Sequence, residues 1–188
     1  MSRERLKEIA KDTVRYAPRD VMWAILWWGG MGRNNAYTMV EKNAAGAIAD
    51  VVQDLRKGLG RKAAYQAFLD LQKCSIGLGP AFFTKLIFFA GKDHDGYIMD
   101  QWVARSINLL FGEVVIMDGV NGTVVSKNNT SGHYDEFCNC IEALRDDKLR
   151  TGEDVEMALF SPSIAGNVGT WRAYLKEQAK AEQKKPQE

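Results

Sequence analysis

The stretch "SIGLGPAFFTKLIFFAGKDHDGYIMDQW", from Ser75 to Trp102, constrains the fold more than any other part of the chain. Two glycines flank one leucine, and a proline follows at once. Proline suits the first turn of a helix, where its missing N–H would have no partner. The apolar run behind it predicts a helix over 80–90, broken by "GKDHDG". Asp100 then falls at the N-cap or first turn of a further helix reaching about residue 111. A helical pattern over 61–73 precedes the glycines, so 61–91 reads as two helices joined by a tight hairpin.

Two polar residues in this stretch need a reason. Ala81 and Lys85 are four apart and share one helix face, with Thr84 beside them, while the residues around them are apolar. That strip is expected to face something other than core. Lys85 reads equally as a functional amine or as a lysine snorkelling at the rim of an apolar helix. Gly77 and Gly79 are free to take positive φ and to leave backbone N–H groups uncovered. With the N-terminus of the next helix they make a small anion site, suited to a nucleic-acid phosphate. A plain turn explains two glycines as well.

The rest of the chain follows the same helical periodicity, at 3–16, 19–28, 36–57, 132–147, 152–160 and 167–181. One segment differs: "EVVIMDGVNGTVVS" is rich in β-branched residues around a turn signal and predicts a small β-hairpin within 113–127. The expected fold class is mostly α with that one β insertion, in a single domain of 188 residues whose tail from about 178 is frayed.

Composition sets bounds. Net charge is +1, which neither demands nor excludes nucleic acid, since a neutral chain can bear a basic face. The three cysteines, Cys74, Cys138 and Cys140, form neither a disulfide framework nor a zinc or iron–sulfur spacing, and read as packed thiols. His94 and His133 have no neighbouring ligand pattern and fall in expected loops. "VMWAILWW" and "AFFTKLIFFA" are too short to cross a bilayer, which takes about 20 apolar residues. The N-terminus lacks the apolar stretch of a signal peptide, so a cytoplasmic monomer with no cofactor and no metal is the expectation.

"SIGLGPAFFTKLIFF" followed by "GYIMDQWVARSI" resembles the signature of the helix-hairpin-helix DNA glycosylases, particularly the 8-oxoguanine DNA glycosylase fold. The resemblance covers about 20–112 and 132–162 and is specific around 74–105. It implies that the glycine hairpin, through Gly77, Gly79 and Arg105, holds DNA backbone, and that Asp100 is catalytic. Family members that also cut the strand carry a lysine two residues past the second glycine, where this chain has Ala81, nineteen residues before Asp100. Lys85 lies one turn on, about 6 Å along the axis. The departure favours relatives whose aspartate alone assists water attack, with Lys85 a contact or a displaced nucleophile.

The same resemblance implies a loop that fills the gap left by an extruded base, matched by Arg33, Asn34 and Asn35. It also implies a base pocket using Trp28, Ala81, Glu156 and Phe160. Each has an ordinary reading too: helix cap and turn for 33–35, core for Trp28 and Phe160. The implied activity is removal of a modified base, leaving an abasic site in repair or anti-phage defence. An oxidised purine, or a hypermodified phage base such as glycosylated hydroxymethylcytosine, is the expected class. The alternatives are a non-catalytic DNA-binding or interaction module, and a glycosylase/lyase acting through Lys85.

Overall fold

The computed structural model describes residues 1–73, 77–93, 96–119, 124–161 and 170–183. Ten helices account for most of them: α1 (Arg3–Lys11), α2 (Pro18–Trp28), α3 (Arg33–Glu41), α4 (Ala44–Lys57), α5 (Arg61–Gln72), α6 (Pro80–Ala90), α7 (Gln101–Phe111), α8 (Ser131–Ala143), α9 (Gly152–Phe160) and α10 (Thr170–Gln183). Cys74, His94, the hairpin tip 120–123 and the last residues from 184 lie outside the described set.

The apolar run that opened the sequence reading becomes the hub. From Phe83 to Ala90, α6 is buried at every position except Lys85, and α1, α2, α4 and α5 pack around it. Aromatic rings fill the joints. Phe68 stacks on Phe83 at 5.3 Å, and Tyr65 stacks on Tyr134 at 4.8 Å, linking α5 to both α6 and α8. A second group, α7 with α8, α9 and α10, closes against this hub.

Several boundaries differ from the sequence expectation. The helix expected over 36–57 is two, because Asn43 takes φ +54° and turns the chain between α3 and α4. Asparagine tolerates the left-handed region better than most residues, so the break is cheap. The first helix stops at Lys11 rather than near 16, with Asp12 as its C-cap. His133 is not in a loop: it is the third residue of α8, and its Nδ1 accepts the Thr130 N–H in a capping box. Cys138 and Cys140 are buried and unbridged, as packed thiols should be.

The expected hairpin is reduced to one antiparallel bridge, Asp118 with Val125, and the described residues around it form no strand. Side chains take over the work of a ladder. Asn108 of α7 accepts the N–H groups of Val115 and Ile116 at 3.0 and 2.9 Å and donates to the Ile116 carbonyl at 2.7 Å. Asn129, 1% exposed, accepts the Met117 N–H and donates to the Met117 and Ser126 carbonyls. Backbone polar groups need partners wherever water is excluded, and two amides supply them here.

Candidate active site

Two connections converge beside α6. The first is the turn from α5. Gly77 has φ +75°, and a Cβ there would stand 3.0 Å from the Asn35 carbonyl and 3.2 Å from the Thr38 Cβ. Glycine is therefore required twice over, by backbone conformation and by the close approach of α3. Gly79 is different: at φ −126° it is extended, not left-handed, and no atom lies within 4 Å of where its Cβ would be. It leaves the N-terminus of α6 without a side-chain cap, with Pro80 at the first turn. An uncovered helix start of this kind favours an anion.

The second connection is the extended run before α7. Gly96 presses on α6 so closely that a Cβ would meet Ile87 Cγ2 at 2.6 Å and the Tyr134 hydroxyl at 2.8 Å. Three residues on, the Met99 N–H donates to the buried Thr84 hydroxyl at 3.0 Å, and that hydroxyl donates to the Pro80 carbonyl. Thr84 is fully buried, so the polar strip expected on α6 does not reach the surface there. Its hydroxyl instead pins the backbone immediately ahead of Asp100.

Asp100 is the N-cap of α7, and both capping bonds, from the N–H groups of Trp102 (2.8 Å) and Val103 (3.0 Å), go to Oδ1. Among the described residues nothing bonds Oδ2. Asp100 lines a cleft of about 1060 Å³ that also takes in Asn35, Gly77, Gly79, Ala81 and Phe160. Its pKa is raised by burial, against the pull of the two N–H bonds and of the Lys85 and Arg172 charges. Asp100 thus both caps α7 and lines the cleft.

The other expected site residues divide. Lys85 is not part of the cleft lining; its Nζ donates to the Gly29 carbonyl at 3.3 Å and lies 5.1 Å from the Phe82 ring. Burial lowers its pKa, opposed by the negative charges of Asp100 and Glu156. Glu156 is fully buried and held by Arg3 through two hydrogen bonds, 2.7 and 3.2 Å, so its carboxylate faces α1 rather than a bound base. Trp28 donates to the Met1 carbonyl and meets Phe89 edge-on at 4.8 Å, a packing role away from the cleft.

Arg105 pairs with Asp118 at 3.3 Å and lies 5.7 Å from the Trp102 ring. Arg33 and Asn34 are exposed at the start of α3 and do not line the cleft; of the three wedge candidates, Asn35 does.

Phe160, expected in the base pocket, does line the cleft, whereas sequence reasoning missed Arg172 beside it and the lining contributed between α7 and α8. Phe160, 41% exposed, forms an edge with Trp102, and Arg172 of α10 sits between them, 4.7 and 5.0 Å from the two rings. Its guanidinium also donates to the Phe160 carbonyl at 2.7 Å. Asp118, Gly119 and residues 124–128 line the same cleft. The composition of 113–127 signalled a hairpin, and nothing in it pointed to a wall.

Among the described residues the fold is helical, with an acid-capped helix and a glycine turn lining one cleft, which agrees with the class of helical DNA-glycosylase domains. Within that class the chain belongs to the family described as "Putative 8-oxoguanine DNA glycosylase OGG-like protein", whose model matches residues 1–160. No curated protein and no solved structure matches the chain. The matched region runs from α1 to the end of α9, and α10 lies beyond it.

Proposed function

We propose that the protein is a DNA glycosylase that takes a modified nucleotide out of the helix into the cleft and removes its base by hydrolysis, leaving an abasic site. The observation that carries this reading is Asp100 itself, with Oδ1 fixed by two backbone N–H groups and the residue lining the same cleft as Gly77 and Gly79. An enzyme that acts on a stacked base must extrude it, so it needs such a hollow. The uncovered start of α6 suits the phosphate next to the everted sugar.

The chemistry asked of Asp100 is limited. The bond from the sugar C1′ to the base nitrogen breaks, and its electron pair leaves with the base. Positive charge grows on the sugar and is stabilised by the adjacent carboxylate in a partly dry site. Water then adds to C1′, and its proton passes by way of the carboxylate to the departing base. With Ala81 at the position of the strand-cutting lysine, no amine is needed in this scheme. Asn35, closest of the wedge candidates to the turn, would enter the gap in the duplex, and Phe160 would offer the everted base a face.

Incubation with modified and unmodified DNA, with released bases read by mass spectrometry and abasic sites by alkaline cleavage, tests the reading. Asp100→Asn should cut release by about a hundredfold or more, while the asparagine still caps α7. A variant that releases base at the wild-type rate removes Asp100 from the mechanism. No release from any DNA by wild-type protein leaves the non-catalytic DNA-binding module.

The alternative lyase route through Lys85 has an amine pKa lowered by burial in its favour, and the position of Lys85 outside the cleft lining against it. Borohydride trapping of protein on DNA, lost in Lys85→Met, would establish that lyase route.

A further inference from the structure

The cleft has a cationic edge to which the hydrolysis assigns no task. Trp102 lines the cleft two residues after Asp100, and three positive groups lie over its ring. The Arg172 guanidinium is 5.0 Å from the ring centroid, the Lys176 ammonium 5.5 Å and the Arg105 guanidinium 5.7 Å. The whole chain carries a net charge of only +1, so this is a local concentration of positive charge.

Two packed helices build the cluster. Arg172 and Lys176 are four apart and share a face of α10, while Trp102 and Arg105 are three apart on α7. Buried Leu175 docks α10 there, and the Trp171 Nε1–H donates to the Ser106 hydroxyl at 2.9 Å. The Arg172 guanidinium is steadied between the Trp102 and Phe160 rings and donates to the Phe160 carbonyl. Residues of α7, α9 and α10 together fix its place, as recognition needs.

The charges are not balanced. Arg105 has an acid, Asp118 at 3.3 Å, but neither Arg172 nor Lys176 forms an ion pair among the described residues. The Arg172 Nε–H is buried without a hydrogen-bond partner among those residues, and Lys176 is exposed. Like charges gathered on one ring repel one another, and an anion held among them removes that cost. Arginine meets phosphate as a planar fork and lysine as a point charge.

We infer that Arg172 and Lys176, with Arg105, form a clasp for a backbone phosphate of the strand whose nucleotide enters the cleft. The inference rests on the glycosylase reading and adds a second phosphate contact to the one at the start of α6. Two of the three cations come from α10, beyond the residues that the family model matches. The Arg172 charge is felt at Asp100, so the clasp stands within electrostatic reach of the acid.

Binding of unmodified duplex over a range of salt concentrations tests the clasp without calling on catalysis. Each phosphate that protein cations neutralise releases counterions, and contributes about 0.9 to the slope of log K against log salt. Arg172→Gln/Lys176→Gln should lose about one unit of slope and bind about tenfold more weakly near 0.1 M salt, whatever the duplex sequence. Arg172→Lys/Lys176→Arg keeps both charges and should keep the slope, whether or not its Tm falls. Lys176→Glu, at an exposed position, covers the case in which the neutral pair fails to fold, and should flatten the slope by itself.

Weaker binding with an unchanged slope overturns the inference, because the two residues would then only hold α10 in place. Wild-type affinity in the neutral variant overturns it too. Inorganic phosphate is titrated separately at constant ionic strength. Binding of that ion lost in the neutral variant, with the DNA slope unmoved, assigns a site for a free anion and overturns the clasp. Base release is a further, independent measurement. Normal release with no change of slope in the variants removes the clasp alone, and the expected slopes without any release remove the glycosylase reading alone.

Discussion

At position 100 the two oxygens of one carboxyl face different demands: Oδ1 is occupied with the start of α7, and Oδ2 has no partner among the described residues. Burial raises the pKa of this group, while the Lys85 charge opposes the rise. Asp100 must be ionised to stabilise a sugar cation, so activity should grow with pH through its pKa and be lost as pH falls. The acidic limb of kcat/KM should then lie above the ordinary aspartate value of about 3.9. In Lys85→Met the opposing charge is gone, so the limb should move to still higher pH. Base release should persist above it. A pH–rate profile of both proteins checks this, and an unmoved limb would mean that Asp100 does not feel the Lys85 ammonium.

At the scale of elements, the glycine turn separates two roles that look alike in the sequence. Gly77→Ala forces a left-handed residue, at about 1–2 kcal/mol, and drives a Cβ to 3.0 Å from the Asn35 carbonyl. A loss of about 2 kcal/mol, or roughly 5 °C in Tm, is expected. Gly79→Ala meets neither obstacle, so Tm should hold while the new methyl stands at the cleft mouth and weakens DNA binding several-fold. Thermal melts and DNA titrations on the pair separate the two. The sequence made both glycines visible but could not say which one bends. Helix identity was legible wherever periodicity and a stop signal agreed, as at α6, with Pro80 at its start and "GKDHDG" beyond it. It failed at Asn43, where a single residue in an unusual conformation splits one apparent helix. It failed again at 113–127, where β-branched composition announced a ladder that Asn108 and Asn129 replace. Asp100 was legible as a cap and as a cleft acid. Its support by Thr84 was not, because a threonine in an apolar helix gives no sign of which distant N–H it will meet.

At the scale of the whole molecule, the matched family region begins in α1 and ends in α9, and a buried ion pair joins those two helices across 153 residues. Arg3 gives Glu156 two hydrogen bonds, stands 3.7 Å from Glu153, and lies over the rings of Phe88 and Trp28. Lys7 adds a further bond to Glu153. Lys85 feels the charges of both Glu156 and Asp100, so the seam is coupled electrostatically to the cleft acid. Such a pair need not stabilise the fold over a well-packed apolar alternative, since Glu156 has left water altogether and Arg3 for the most part. Removing one partner is a different matter, because the other is left buried and alone. Arg3→Met should therefore destabilise by about 3–5 kcal/mol, whereas Arg3→Met/Glu156→Leu should recover most of that loss. Urea unfolding of the wild type, the single and the double variant measures both values. If the pair is only a seam, the double variant will also keep the acidic limb of the rate profile. A limb that shifts with restored stability would mean that the Glu156 charge sets the ionisation of Asp100, directly or by way of Lys85.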